Sequence, residues 1–131
     1  VYYLPDEIIV PNLKVKTYFS LITPFYPNYS QEIAEESMTE FRLDLEQRLS
    51  MLSQGPERKV AIALALSLQT PLLLMDEPTS ALDDTLTAEV KKVILDAQKA
   101  GVAVVIASHD RRLDGIENYR FRFSAGRIEE T

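Results

Sequence analysis

The sequence predicts an α/β protein: a fragment of parallel sheet, preceded by a helical region and followed by a C-terminal β-hairpin. Three observations predict it. Leu72-Leu73-Leu74-Met75 has strand length and ends in two adjacent carboxylates, Asp76 and Glu77. A segment with apolar residues at helical spacing follows. A second, β-branched run then extends from Val102 to Ala107. Strand, helix and strand in that order make a right-handed parallel crossover. A chain of 131 residues suits one domain of modest core, and an apolar fraction of 46% is ordinary for a globular protein.

A short helix is expected from about Lys14 to Ile22, stopping near Pro24. Ser30 can cap a second helix whose early acids, Glu32, Glu35 and Glu36, suit its positive end. Ile33, Ala34, Met38 and Phe41 give that helix one apolar stripe, which reads as core rather than as a ligand site. Pro56 is pre-set for a first helical position, and good helix formers follow it as far as the Thr70-Pro71 break. Ser67, Gln69 and Pro71 interrupt the apolar stretch from Val60 to Met75, which is too short for a membrane span. Beyond the acidic pair, Asp83 or Asp84 can start a helix with Leu86, Val90, Val93, Ile94 and Ala97 on one face. Gly101 suits the position past its end. Val102 to Ala107 reads as a strand buried on both faces. Tyr119, Phe121 and Phe123 alternate with Arg120, Arg122 and Ser124 as a half-buried strand, and Ile128 begins its return after a turn at Ser124 to Arg127. The net charge of −6 argues against a nucleic-acid surface, so the aromatic-basic alternation reads as a packed hairpin. With no cysteine there are no disulfides.

In a parallel sheet, ligands gather at the carboxyl ends of the strands, where Asp76 and Glu77 would sit. One acid can hold a hydrated Mg²⁺ while the other orients a water for attack on phosphate. Upstream, Ser53-Gln54-Gly55 lies just ahead of a helix whose first N–H groups and positive dipole end suit an anion. Gly55 lets the backbone approach that anion closely. The only histidine, His109, follows the second strand. A lone histidine is more often structural, and its place after a strand of this kind is what recommends it.

Leu72 to Asp83 resembles the Walker B and D-loop region of an ABC-type ATPase. Leu52-Ser53-Gln54-Gly55-Pro56 resembles the ABC signature Leu-Ser-Gly-Gly-Gln, with Gln54 in place of Gly and Pro56 in place of Gln. His109 resembles the H-loop histidine. Tyr3-Leu4-Pro5-Asp6-Glu7 resembles the Q-loop region, with Asp6 where the family has Gln. The phosphate-cradling Gly-x-x-x-x-Gly-Lys-[Ser/Thr] loop is missing, since the glycines are Gly55, Gly101, Gly115 and Gly126 and none precedes a Lys. The resemblance thus covers the later half to two-thirds of a nucleotide-binding domain. Residues 1–52 correspond to the Q-loop remnant and helical subdomain. Residues 53–131 correspond to the signature helix, Walker B, D-loop, H-loop and hairpin of the ATPase core. The chain reads as a fragment that does not bind ATP alone, and strand Leu72 to Met75 is expected to have an unpaired edge.

The resemblance implies ATP and Mg²⁺ as cofactors. It implies Glu77 as general base, Asp76 as the Mg²⁺ carboxylate and His109 on the γ-phosphate. Ser53, Gln54 and Gly55 would face nucleotide held by a second ATP-binding domain, in a homo- or heterodimer. Asp6 would sit at the cofactor, and Ser80 and Asp83 at the dimer contact. It further implies a transmembrane permease partner, met in part by exposed aromatics between Tyr18 and Tyr29. No nucleic acid is expected, and the place is cytoplasmic, on the inner face of the cell membrane. The opening motif and compact helical region look like subunits of drug- or antibiotic-exporting systems. The alternatives are a non-transport ABC-type ATPase of chromosome maintenance, DNA repair or ribosome association, and a non-catalytic interaction module with a degenerate nucleotide site.

Overall fold

In the computed structural model, which describes all 131 residues, the two strand-length runs become neighbours. Strand β1 is Tyr2–Leu4, followed by helices α1 (Val15–Ile22), α2 (Gln31–Glu40) and α3 (Gln54–Ser67). Strand β2 (Leu72–Asp76), helix α4 (Asp84–Lys99) and strand β3 (Ala103–Ala107) come next, and strands β4 (Phe121–Ser124) and β5 (Arg127–Glu130) close the chain. The first sheet is parallel in the order β1-β2-β3, and the second is the antiparallel β4-β5 pair.

Local signals explain most of the boundaries. Ser30 accepts the Ile33 amide at 3.2 Å and Asp83 accepts that of Leu86 at 2.8 Å, each a side-chain cap at a helix start. Helix α4 ends with Gly101 at φ +95°, where Gly101 N–H donates to Gln98 and Val102 N–H to Ala97, the paired bonds of a Schellman ending. The β4-β5 turn places Ala125 and Gly126 at φ 49° and 75°, as a two-residue hairpin turn of the primed type requires. Helix α3 starts at Gln54, so Pro56 is its third residue rather than its first. Its missing N–H is still among those the first turn leaves unused.

Helix α3 is buried continuously from Val60 to Ser67, as expected for a helix apolar on all sides. It packs chiefly on α2, with Ala34 and Phe41 of that region fully buried. One cluster takes in Val15, Phe41, Ile62, Leu73, Met75 and Val90, so packing runs unbroken across residues 52 and 53. No helix is long and apolar enough to cross a membrane.

Four expectations need correction. Strand β2 has no free edge, because Tyr2–Leu4 pairs on one side of it and Ala103–Ala107 on the other. The free edges belong to β1 and β3. Strand β3 is not buried on both faces: Val104 and Ile106 pack on the core, while Val105 on the opposite face is 55% exposed. The register groups Val105 with Leu74 and Tyr3, so the helices cover one face of the sheet and leave the other open. The β4-β5 hairpin is exposed throughout, with Phe121, Phe123 and Ile128 in solvent. Its alternation pattern identifies a strand but does not supply a surface to pack on. Of the aromatics from Tyr18 to Tyr29, only Phe25 is largely exposed, and Phe19 is core.

Candidate functional site

Asp76 ends β2 on the open face of the sheet, where Tyr3 Oη donates to its Oδ2 at 3.3 Å. The next residue leaves the sheet. Glu77 N–H still donates to Ala107 O at 2.8 Å, but its backbone turns into the left-handed region, φ 44°. For a residue with a Cβ this conformation costs about 1 kcal/mol or more. The turn carries the Glu77 carboxylate across the end of β3. There Oε2 accepts Ser108 Oγ at 3.0 Å and Oε1 accepts His109 N–H at 3.1 Å. The His109 ring itself lies in solvent. Asp76, Glu77 and His109 therefore meet at the carboxyl ends of two adjacent parallel strands.

A second set of bonds fixes these two loops together, and the sequence reading missed it. Thr79, fully buried, donates to Asp110 Oδ2 at 2.6 Å. Arg112 grips the same carboxylate through Nη2 at 2.8 Å and through Nε at 2.9 Å. It also donates to Leu82 O at 3.0 Å and to Asp84 Oδ1 at 3.1 Å. The Arg112 guanidinium, and after it the Thr79 hydroxyl, hold the Asp110 carboxyl far below the ordinary carboxylate range. Asp110 two residues ahead of Arg112 was the visible signal; Thr79 as third member was not. A carboxyl depressed in the folded state stabilises it above the unfolded value, near 3.8, and loses that contribution as pH falls below it. Asp110→Asn should therefore flatten the acid limb of the thermal midpoint between about pH 5 and 2. Thermal melts of both proteins across that range check this. An unchanged acid limb would show that the Arg112 clamp does not contribute to folding.

The segment that resembles the signature lies elsewhere. Ser53 precedes α3 as its N-cap but makes no side-chain capping bond, which leaves its hydroxyl and the first helical N–H groups uncommitted. Ser53 and Gln54 are exposed. Gly55 faces its own chain: a Cβ there would meet Leu86 at 3.6 Å and Leu82 and Ala81 at 3.8 Å. Asp6, Gln54 and Ser80 line one polar cleft with Glu57 and Arg58. Asp6 Oδ1 accepts Ser80 Oγ at 3.0 Å. Asp83 uses one oxygen to cap α4. No hydrogen bond links Ser53, Gln54 or Gly55 to Asp76, Glu77 or His109, so the candidate residues form two groups within one chain.

No three His, Cys, Asp or Glu side chains come together as a metal site. Mg²⁺ does not require such a cage. It is commonly held by one or two carboxylates together with water and phosphate oxygens, and Asp76 beside the tethered Glu77 suits that mode.

A family model described as ABC transporter matches residues 2–80, more than half of the chain. The chain belongs to the ABC transporter family. It is 40% identical over 85 residues to the arginine transport ATP-binding protein ArtP of Haemophilus influenzae, covering 63% of this chain and 35% of that protein. It is 49% identical over 59 residues to the L-cystine import ATP-binding protein TcyC of Bacillus subtilis, covering 45% of this chain and 24% of that one. The chain thus spans a quarter to a third of these ABC relatives. Its fold matches a dimeric bacterial ABC transporter cassette with a TM-score of 0.82 and 22% identity, over 99% of this chain and 62% of that one.

Proposed function

We infer that these residues serve as the signature, Walker B and H-loop portion of an ATP-hydrolysing subunit of an ABC transporter. The observation that carries this is the meeting of Asp76, Glu77 and His109 at one sheet end, while Ser53 to Gly55 stand apart with free helical N–H groups. That division suits a site shared between two ATP-binding domains. Ser53, Gln54 and Gly55 would present hydroxyl and backbone donors to phosphate held by the partner domain. Glu77, its carboxylate aimed by Ser108 and the His109 amide, would orient the attacking water and take up its proton. His109 would contact the γ-phosphate. Asp76 would hold Mg²⁺ through water, and the bound metal would neutralise charge on the phosphate oxygens. Ser80 and Asp83 would approach the partner domain.

Transport is the process we assign, with a membrane permease as partner and the inner membrane face as its place. The drug- or antibiotic-export reading draws on Tyr3 to Glu7, whereas the named relatives serve arginine transport and L-cystine import. Uptake and efflux assays with the cognate permease separate the two directions.

Calorimetric titration with Mg-ATP tests the shared-site reading on the 131-residue chain itself. It contains no loop of amides with a lysine for the β- and γ-phosphates, and we expect no specific heat of binding and no hydrolysis. Saturable micromolar binding would overturn the shared-site assignment.

A further inference from the structure

Arg58 is the only charged residue among the buried ones, its side chain 2% exposed. It is the fifth residue of α3, four residues before the fully buried Ile62, and so on the helix face that enters the core. A buried guanidinium is tolerated only where its donors are satisfied. Here Nη1 donates to Pro5 O at 2.8 Å, and Nη2 donates to Asp6 O and to Asp6 Oδ1. The same Oδ1 accepts Ser80 Oγ. One guanidinium and one carboxylate thus join three segments far apart in sequence: the turn after β1, the start of the signature helix, and the turn after Glu77.

We propose that Arg58, Asp6 and Ser80 form a positioning linkage that ties the signature helix to the turn carrying the acidic pair. The inference rests on the ABC ATPase reading and deepens it. Asp6 then acts by holding Arg58 and Ser80 in place. Its contacts are protein groups, and a role as direct cofactor ligand is the competing account. The planar fork of Arg58 is needed to reach both carbonyls and the carboxylate, which the single ammonium of a lysine does not reproduce.

The test uses the complete ATP-binding subunit. Ser80 is exposed, so its substitution leaves the core intact, whereas Asp6, half exposed itself, is the carboxylate partner of a buried guanidinium. Asp6→Ala and Ser80→Ala should each lower kcat about tenfold, because small misplacements of reacting groups are costly. Monomer affinity for ATP should stay at wild-type values in both, and Ser80→Ala should keep the wild-type thermal midpoint. Asp6→Ala removes the carboxylate paired with the buried guanidinium and should lower that midpoint, so Ser80→Ala separates positioning from loss of folded protein. The double variant should be no slower than the slower single, since both break one linkage. Ser80→Thr keeps the hydroxyl and should restore the rate. Arg58→Lys should fold and show the same kcat loss; if it does not fold, the Asp6–Ser80 cycle decides alone. Additive losses of about a hundredfold, or wild-type kcat in Ser80→Ala, would overturn the proposal. A raised Mg²⁺ requirement confined to Asp6→Ala would also overturn it, in favour of a cation-holding carboxylate. An inactive wild-type subunit, or one indifferent to Glu77→Gln, removes the ATPase reading and this inference with it. An active subunit that loses activity in Glu77→Gln but shows additive losses removes this inference alone.

Discussion

Glu77→Gln in the complete subunit should slow ATP hydrolysis by roughly 10²–10⁴-fold, the usual contribution of a positioned general base, and leave nucleotide binding intact. The structure explains why the effect should be confined to chemistry. Glu77 accepts the His109 amide through one oxygen and Ser108 Oγ through the other. A glutamine keeps an acceptor for the amide and offers Ser108 a donor instead, because a hydroxyl can play either part. The strand end, the turn and the loop after β3 therefore keep their bonds. What is lost is the capacity to accept a proton from water. ATPase rate and nucleotide affinity should be measured on the same preparation, and unchanged turnover would take Glu77 out of its assigned role.

Gly55→Leu should abolish ATP-driven dimerisation while each monomer still binds nucleotide. A single methyl fits at this position, because the nearest atoms, Leu86 Cδ1, Ala81 O and Leu82 Cδ2, lie at 3.6–3.8 Å from an added Cβ. A leucine side chain adds three carbons beyond that contact and is expected to push the start of α3 away from Leu82 and Leu86. That shift displaces Ser53 and Gln54, whose helix-end N–H groups are proposed to meet the partner's phosphate. Gly55→Ala serves as the control and should dimerise. Light scattering with ATP in a hydrolysis-deficient background measures the outcome, and normal ATP-dependent dimers of Gly55→Leu would sink the signature assignment.

The parts of the fold that could be read from sequence are those with short-range causes. Ser30, Asp83 and Gly101 mark helix ends because each acts on amides within a few residues of itself. The acidic pair and His109 could be placed for the same reason, the pair directly after one apolar run and the histidine one residue beyond another. The faces of β3 could not, because a run such as Val102 to Ala107 looks identical whether one side or both are covered. Nor could the neighbours of β2, which depend on a three-residue strand at the chain start. Arg58 could not be told from its neighbours Glu57 and Lys59, because α3 is apolar on every face beyond them and only Arg58 of the three is buried. Its partners, Pro5 and Asp6, could not have been named before the chain was seen to bring them together.

The backbone of Glu77 has a consequence of its own. At φ 44° a glycine would be at ease and a glutamate is not. Folding and chemistry thus ask for different residues at one position. A lineage under pressure for thermal endurance alone would drift there toward glycine, gaining robustness as it shed the carboxylate. Keeping the acid means tolerating a local weakness at the very turn where the reaction is proposed to occur, and the two bonds from Ser108 and His109 offset part of it.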